Sequence, residues 1–408
     1  MKTRIGYIDG LRAVAVLSVI VHHAAKYNQD LNAGPLQHTL YEGAHGVDLF
    51  FVISGFCLAY PTLVRLRNEG QALFDVARYF AHRLVRILPP YYLAIGFCWL
   101  LVQAMIHYRL VMPFGIVGPA ISPLEIFKQM IFADARPQLL NGSFWSLAVE
   151  FRWYFLFPLL LALWVKSPRA FAFVGFACLI AAHLTRAAGL DIAILPAFML
   201  GIVAADIEVQ RLPIRRLAPL LFVLTLCLAL VFEPNQPWEF FGQTQWGWQA
   251  AAFFFVIAAG CVPWLNRVLS VKPLVAIGLA SYSMYLIHEP IIGMLERNTA
   301  WGAVAAAVIA SACGIIFWAL LERPFVETSL KRTLVDGIHP RLARGLQLAG
   351  IPRGVPLHWL HWRPRPVEPA LDLHPEGPPL VAHAGPPAQP EAASLSASKK
   401  LEKFDAGT

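Results

Sequence analysis

Tyr7-Ile-Asp9-Gly-Leu-Arg12-Ala-Val-Ala-Val-Leu-Ser-Val-Ile-Val-His22-His23-Ala-Ala25 decides how the chain is read. It is long and apolar enough for a membrane helix, yet it carries four ionisable groups. A charged residue in lipid costs roughly 2.5–3.5 kcal/mol on insertion scales, so those kept within a span usually face a bundle interior or a watery cavity. Arg12 and His23 are about three helical turns apart, which puts them nearly in line and about 16 Å apart along the axis, whereas His22 points roughly 80° away. If one histidine works with Arg12, the spacing selects His23. Taken alone, the pair fits equally well with a histidine among headgroups and an arginine that snorkels to the near interface.

Working outward, the whole chain has the same character. Its 408 residues are 57% hydrophobic and only 14% charged, with a mean hydropathy of +0.56. That composition defines an all-α polytopic membrane protein and excludes an ordinary soluble domain. The net charge of +8 is no nucleic-acid signal, because basic residues of membrane proteins collect in cytoplasmic loops. Cys57, Cys98, Cys178, Cys227, Cys261 and Cys313 fall singly in apolar stretches and read as core residues, with no metal-ligand spacing. No cleavable signal peptide is evident, since the first apolar stretch lacks a small-residue cleavage site.

About ten transmembrane helices are expected, near residues 7–25, 44–60, 89–107, 144–165, 170–186, 190–206, 217–232, 247–265, 274–295 and 300–321. Alternate loops divide the lysines and arginines unequally. Lys2, Arg4, Arg12, Arg65, Arg67, Arg78, Arg83, Arg86, Lys166, Arg169, Arg211, Arg215, Arg216, Arg267 and Lys272 lie on one side, against Lys26, Arg109, Lys128, Arg136, Arg186 and Arg297 on the other. The positive-inside rule then places both termini in the cytoplasm of a cell whose inner membrane holds the protein. Residues 1–336 form the expected transmembrane domain. Residues 337–408 hold 12 of the 31 prolines and read as a disordered cytoplasmic tail, a linker before a partner ligand.

Four further stretches carry polar groups into the bundle. Gly43-Ala-His45-Gly46-Val-Asp48 opens the second span, its glycines (with Gly55) suited to close helix approach and Asp48 at the depth of His23, able to orient a catalytic histidine. Arg83 and Arg86 share one helix face just before the third span, beside Arg12, where three guanidiniums suit a phosphorylated ligand; positive-inside decoration is the competing reading. Ser146 and Glu150 share a face of the fourth span, and Glu150 needs a partner such as Arg152 or a base on another helix. Ser281, Tyr285 and His288 make a stripe along the ninth. A shared polar cavity accounts for all of these together.

Asp9-Gly-Leu-Arg12-Ala-Val-Ala with His23, Gly46-Val-Asp48-Leu-Phe-Phe-Val-Ile-Ser-Gly-Phe56, Arg83-Leu-Val-Arg86, Trp145-Ser-Leu-Ala-Val-Glu150, Ser281-Tyr-Ser-Met-Tyr285-Leu-Ile-His288 and Glu322-Arg-Pro-Phe325 follow in order. Together they closely resemble the membrane-bound acyltransferase family 3, of carbohydrate O-acyltransferase type, over roughly residues 4–330. The resemblance implies transfer of an acyl group, commonly acetyl, from cytoplasmic acyl-CoA to an acceptor within or across the membrane. Its arginine-to-histidine motif maps onto Arg12 and His23, its paired arginines onto Arg83 and Arg86, and its glutamate onto Glu150. Two departures stand out. Phe151-Arg152 replaces an acidic or amide residue followed by an aromatic, and no esterase-like domain follows the tenth span, so the transmembrane unit is expected to work alone.

Resemblance and spacing meet on one expected mechanism. Arg12, Arg83 and Arg86 hold the CoA phosphates, the pantetheine arm runs along the first helix, and His23 acts as general base on the acceptor hydroxyl. A transient acyl-histidine is the variant less favoured. Asp48 or Glu150 orients His23, and Tyr285 or Ser146 donates to the oxyanion. No metal is expected; the expected partners are membrane lipid and a carbohydrate or lipid-linked glycan, chosen by loops 108–143 and 233–246. A glycan transporter also needs intramembrane polar groups, but the chain lacks the internal repeat of many transporters.

Overall fold

The computed structural model describes residues 5–27, 35–111, 123–133, 140–185, 190–232, 246–299, 301–352 and 354–358. Its helices are α1 (Gly6–Tyr27), α2 (Pro35–Tyr41), α3 (Gly46–Glu69), α4 (Val76–His107), α5 (Pro123–Met130), α6 (Phe144–Lys166), α7 (Pro168–Thr185) and α8 (Leu190–Gln210). They continue as α9 (Ala218–Phe232), α10 (Trp246–Cys261), α11 (Pro263–Leu269), α12 (Lys272–Asn298), α13 (Gly302–Phe317), α14 (Arg323–Glu327) and α15 (Ser329–Leu348). One short antiparallel ribbon pairs β1 (Gln71–Asp75) with β2 (Gly354–His358). The chain divides into two units, residues 1–364 and 365–408; the second lies outside the described residues.

Within the described residues, each of the ten expected apolar stretches coincides with helix, the stretch 247–265 with two helices, α10 and α11. Among the described residues, seven helices are long and apolar enough to cross a membrane alone, and an eighth span results if α10 and α11, bent by 99° at their junction, are one. The stretches 170–186 and 217–232 fall on shorter apolar helices. The chain is therefore a multi-pass helical membrane protein. At its centre α1 lies along α12, and α3 along α8. Close approach depends on glycine at the second of these pairs: a Cβ on Gly55 would strike the Phe198 carbonyl, and one on Gly201 the Val52 carbonyl. Gly43 and Gly46 face the backbone of α1 at Ser18 and Ala15 in the same way, as expected of glycines at membrane helix contacts.

Two boundaries differ from the sequence expectation. The third span does not begin at Pro89. Its helix starts at Val76, where the Asp75 carboxylate accepts the Arg78 N–H at 2.8 Å, an N-cap that sets the start of the helix. Pro89 and Pro90 lie inside it, as helices of a membrane bundle tolerate, and the Tyr282 hydroxyl ties the same stretch to α12 by donating to the Ile87 carbonyl at 3.1 Å. Arg83 and Arg86 are thus intrahelical.

The folded chain also continues past residue 336. α15 buries Val335 and packs Leu334, Ile338 and Leu342 against Ala81 and Val85 of α4. His339 Nε2 lies 3.2 Å from Asp75 Oδ2, and Leu357 of β2 is buried. An apolar face with a period near four explains the helix despite Pro340. The tail expectation is therefore corrected for 337–358, and its remainder, 359–408, lies outside the described residues. Deleting 359–408 is expected to leave the melting temperature in detergent unchanged. Deleting 337–408 removes β2 and half of α15 and is expected to cost several kcal/mol, at roughly 1.5–3 kcal/mol per buried large apolar side chain. Equal melting of the two truncations would sink this assignment.

Candidate active site

A cavity of about 250 Å³ opens among α1, α3, α4, α6 and α12. It is lined by Arg12, Arg83 and Arg86 together with Glu150, Ser146 and Tyr285, six of the residues singled out from sequence. The fold explains why they meet. Arg12 is two turns into α1, Arg83 and Arg86 are one turn apart on α4, and Ser146 and Glu150 are one turn apart on α6. A second cavity of about 270 Å³ is lined by Asp9, Tyr60, Trp318 and Glu322, and shares Arg12, Cys57 and Arg86 with the first. Arg12 and Arg86 therefore stand at the junction of two spaces.

The three guanidiniums differ in their commitments. Arg12 donates to Asp9 Oδ1 at 2.9 Å and to Cys57 Sγ at 3.3 Å. Arg83 lies over the Tyr154 ring at 5.5 Å, a cation–π contact that leaves its edge free for hydrogen bonds. Neither Arg83 nor Arg86 is in a carboxylate ion pair among the described residues. Glu322, whose charge acts on Arg86, accepts the backbone N–H (3.2 Å) and hydroxyl (2.5 Å) of Ser283. Planar donors with spare capacity beside a cavity suit an anion such as a phosphate.

Glu150 does not pair with Arg152. Arg152 instead forks onto Asp191 of α8 at 2.7–3.1 Å and donates to the Phe132 carbonyl. Glu150 stays with the cavity, whose lining also includes Tyr154. The Tyr285 hydroxyl lies 2.6 Å from Ser146 Oγ, and Ser146 in turn donates to the Ser143 carbonyl at 3.3 Å. With the serine proton committed, Tyr285 is the donor of that pair.

His23 is not in the cavity wall. Its ring packs edge-on against His288 at 4.9 Å between centroids, and His288 against Tyr285 at 5.6 Å, so Tyr285 and His288 stand between His23 and the arginines. His23 Nδ1 faces the Val19 carbonyl at 2.9 Å and His288 Nε2 at 3.2 Å, while its Nε2 faces Glu289 Oε1 at 3.3 Å. Neither Asp48 nor Glu150 orients it. Asp48 Oδ2 is 2.9 Å from His45 Nδ1, and His45 stacks on Trp248 with Glu42 at its other nitrogen. Residues three apart on one helical turn meet more readily than residues on two helices at equal depth.

Sequence reasoning passed over Glu289 and Ser143, and it placed His288 only in a stripe. The signal was present: Glu289 is a carboxylate inside an apolar span, like Glu150, and needs a partner for the same reason. Among the described residues no cluster with metal-ligand geometry occurs. The loops 108–143 and 233–246 lie in large part outside the described residues.

Comparison with known proteins gives the family. The model of the acyltransferase domain family, type 3, matches residues 5–323. A Staphylococcus aureus strain COL protein provisionally named as an O-acetyltransferase is 25% identical over 377 residues, covering 82% of this chain and 58% of its own length. The O-acetyltransferase OatA of Staphylococcus aureus strain NCTC 8325 / PS 47 is 25% identical over 358 residues, covering 80% of this chain and 57% of its own. The chain spans under two thirds of the length of these relatives. No solved structure matches it. With a family match across nearly all of the membrane bundle, including every cavity residue named above, the chain belongs to acyltransferase family 3.

Proposed function

We propose that the chain is a membrane-embedded O-acyltransferase that moves an acetyl group from cytoplasmic acetyl-CoA to a hydroxyl of a surface carbohydrate, exopolysaccharide or lipopolysaccharide, in the inner membrane. The observation that carries this reading is the convergence of Arg12, Arg83 and Arg86 on one cavity. Their forked donors match phosphate oxygens. An elongated ligand lying along both cavities would be gripped at its middle by Arg12 and Arg86. The excess of basic residues on the Arg12 side supports entry of the donor from the cytoplasm.

In the transfer, the acceptor O–H gives its proton to His23 while its oxygen bonds to the thioester carbon. The carbon–sulfur bond then breaks, and the CoA thiolate leaves with the proton from His23. Tyr285 donates to the carbonyl oxygen as charge builds there, having let go of Ser146. Glu150 keeps the polar wall opposite Arg83, and Asp48 holds His45 at the outer end of α3. His288 and Tyr285 must give way for the thioester to reach His23, since they separate it from the arginine cavity.

Radiolabelled acetyl-CoA supplied to membranes containing the chain is expected to label surface polysaccharide, and the purified protein is expected to bind CoA. Failure of both, with counterflow of labelled sugar in the absence of acetyl-CoA, would replace this reading with a transporter.

A further inference from the structure

Glu289 follows His288 on α12 and is almost fully buried. It gathers donors from α1 and from the turn before α6. The Tyr27 hydroxyl donates to Oε1 at 3.0 Å and the Ser143 hydroxyl to Oε2 at 2.7 Å, with Lys26 Nζ at 3.5 Å and His23 Nε2 at 3.3 Å from Oε1. The turn is shaped around this carboxylate. Asn141 Nδ2 donates to the Leu286 carbonyl at 2.7 Å and its Oδ1 accepts the Ser143 N–H at 2.9 Å. Between them sits Gly142, where a Cβ would meet the two carboxylate oxygens at 2.6 and 2.8 Å.

The hydrogen bonds fix which ring nitrogens bear protons. His288 Nδ1 faces the carbonyls of Met284 at 3.1 Å and Tyr285 at 2.9 Å. Carbonyls only accept, so that nitrogen carries the hydrogen and His288 Nε2 is an acceptor. His23 Nδ1 faces this Nε2 and the Val19 carbonyl, again acceptors only, so its hydrogen is on Nδ1. Nε2 faces Glu289 Oε1, an acceptor too, so this edge is satisfied only when the ring carries a second hydrogen there: neutral His23 takes up its proton on Nε2, and the charged ring then donates to Glu289.

We infer that Glu289 is a positioning residue for His23: its carboxylate stands at Nε2, accepts the Nε2–H formed when the ring takes the proton of the acceptor hydroxyl, and so fixes and stabilises the charged ring. This rests on His23 as the base of the proposed transfer. In a hydrolase triad the aspartate accepts from the opposite ring nitrogen; Glu289 shares with it only the stabilisation of the charged imidazolium, from the side of the nitrogen that receives the proton. The other ionisable groups around the ring are His22 and Lys26 on its own helix, with Tyr27, and His288 on α12. None of these side chains is an acid that could replace Glu289.

Glu289→Gln keeps the shape and removes the charge. It is expected to lower kcat for acetyl transfer roughly 100-fold with the KM for acetyl-CoA within about twofold of wild type, and to add nothing to the loss in His23→Ala. Unchanged turnover per folded molecule overturns the inference. A second measurement needs no turnover. In protein labelled with 15N in histidine, the His23 ring is identified by its disappearance in His23→Ala. It is expected to show a carboxylate-bonded Nε2–H in wild type that is lost in Glu289→Gln. Identical His23 signals in the two proteins overturn the inference whatever the donor. Loss of the signal in a chain that transfers no acetyl upholds the pairing and counts against the acyltransferase reading alone.

Discussion

His23→Ala is expected to abolish acetyl transfer, a fall of roughly 10²- to 10⁴-fold for removal of a positioned general base, while His22→Ala keeps most of it. The adjacent histidines differ because the helix turns them apart. His22 Nδ1 donates to the Tyr41 carbonyl at 2.8 Å and ties α1 to the segment before α3, whereas His23 meets His288 and Glu289. Loss of the His22 bond costs about 1 kcal/mol of stability and no chemistry. The measurement is initial-rate transfer from labelled acetyl-CoA, normalised to folded protein by size exclusion in detergent. Equal activity of both variants would remove His23 from the mechanism.

Arg83→Ala is expected to raise the apparent KM for acetyl-CoA by about 10- to 100-fold, since a hydrogen bond to a charged group contributes roughly 1.5–3 kcal/mol. Turnover at saturation should change far less. Arg83 is the cleaner probe because its ring contact with Tyr154 is the one close partner it would give up among the described residues. Arg86 stands near the buried Glu322, so Arg86→Ala would also strand an acid. Arg86→Lys keeps the charge but loses the fork and is expected to raise KM without lowering the melting temperature. CoA binding that is indifferent to both substitutions would mean that the guanidiniums serve lipid headgroups instead.

How far the chain could be read in advance follows from the range of each interaction. Helix positions were legible because hydropathy is local, and Arg12, Arg83, Arg86, Glu150 and Tyr285 were found because a polar group inside an apolar span must face something polar. What they face was not legible. Arg152 was read as the neighbour of Glu150, but its partner Asp191 belongs to another helix. Asp48 was read across to His23, although His45 stood three residues away. Glu289 was passed over although it lies inside an apolar span, because its donors Tyr27 and Ser143 come from segments far apart in sequence. The same limit hid α15, whose apolar face makes sense only against Ala81 and Val85.

The ribbon of β1 and β2 gives the protein an order of completion. β1 leaves the ribosome soon after the second span, but its partner follows only after α15 has been made. Closing a loop of that length carries an entropic cost of roughly 5 kcal/mol, met only when Leu357, His339 and the face of α15 arrive together. Until then the junction of α3 and α4 is unclamped, and with it the first turns of the helix that bears Arg83 and Arg86. A nascent chain halted before residue 354 thus holds every motif of the family yet lacks the clasp at the start of the helix that bears Arg83 and Arg86, so these arginines are expected to take their final setting only after the ribbon closes.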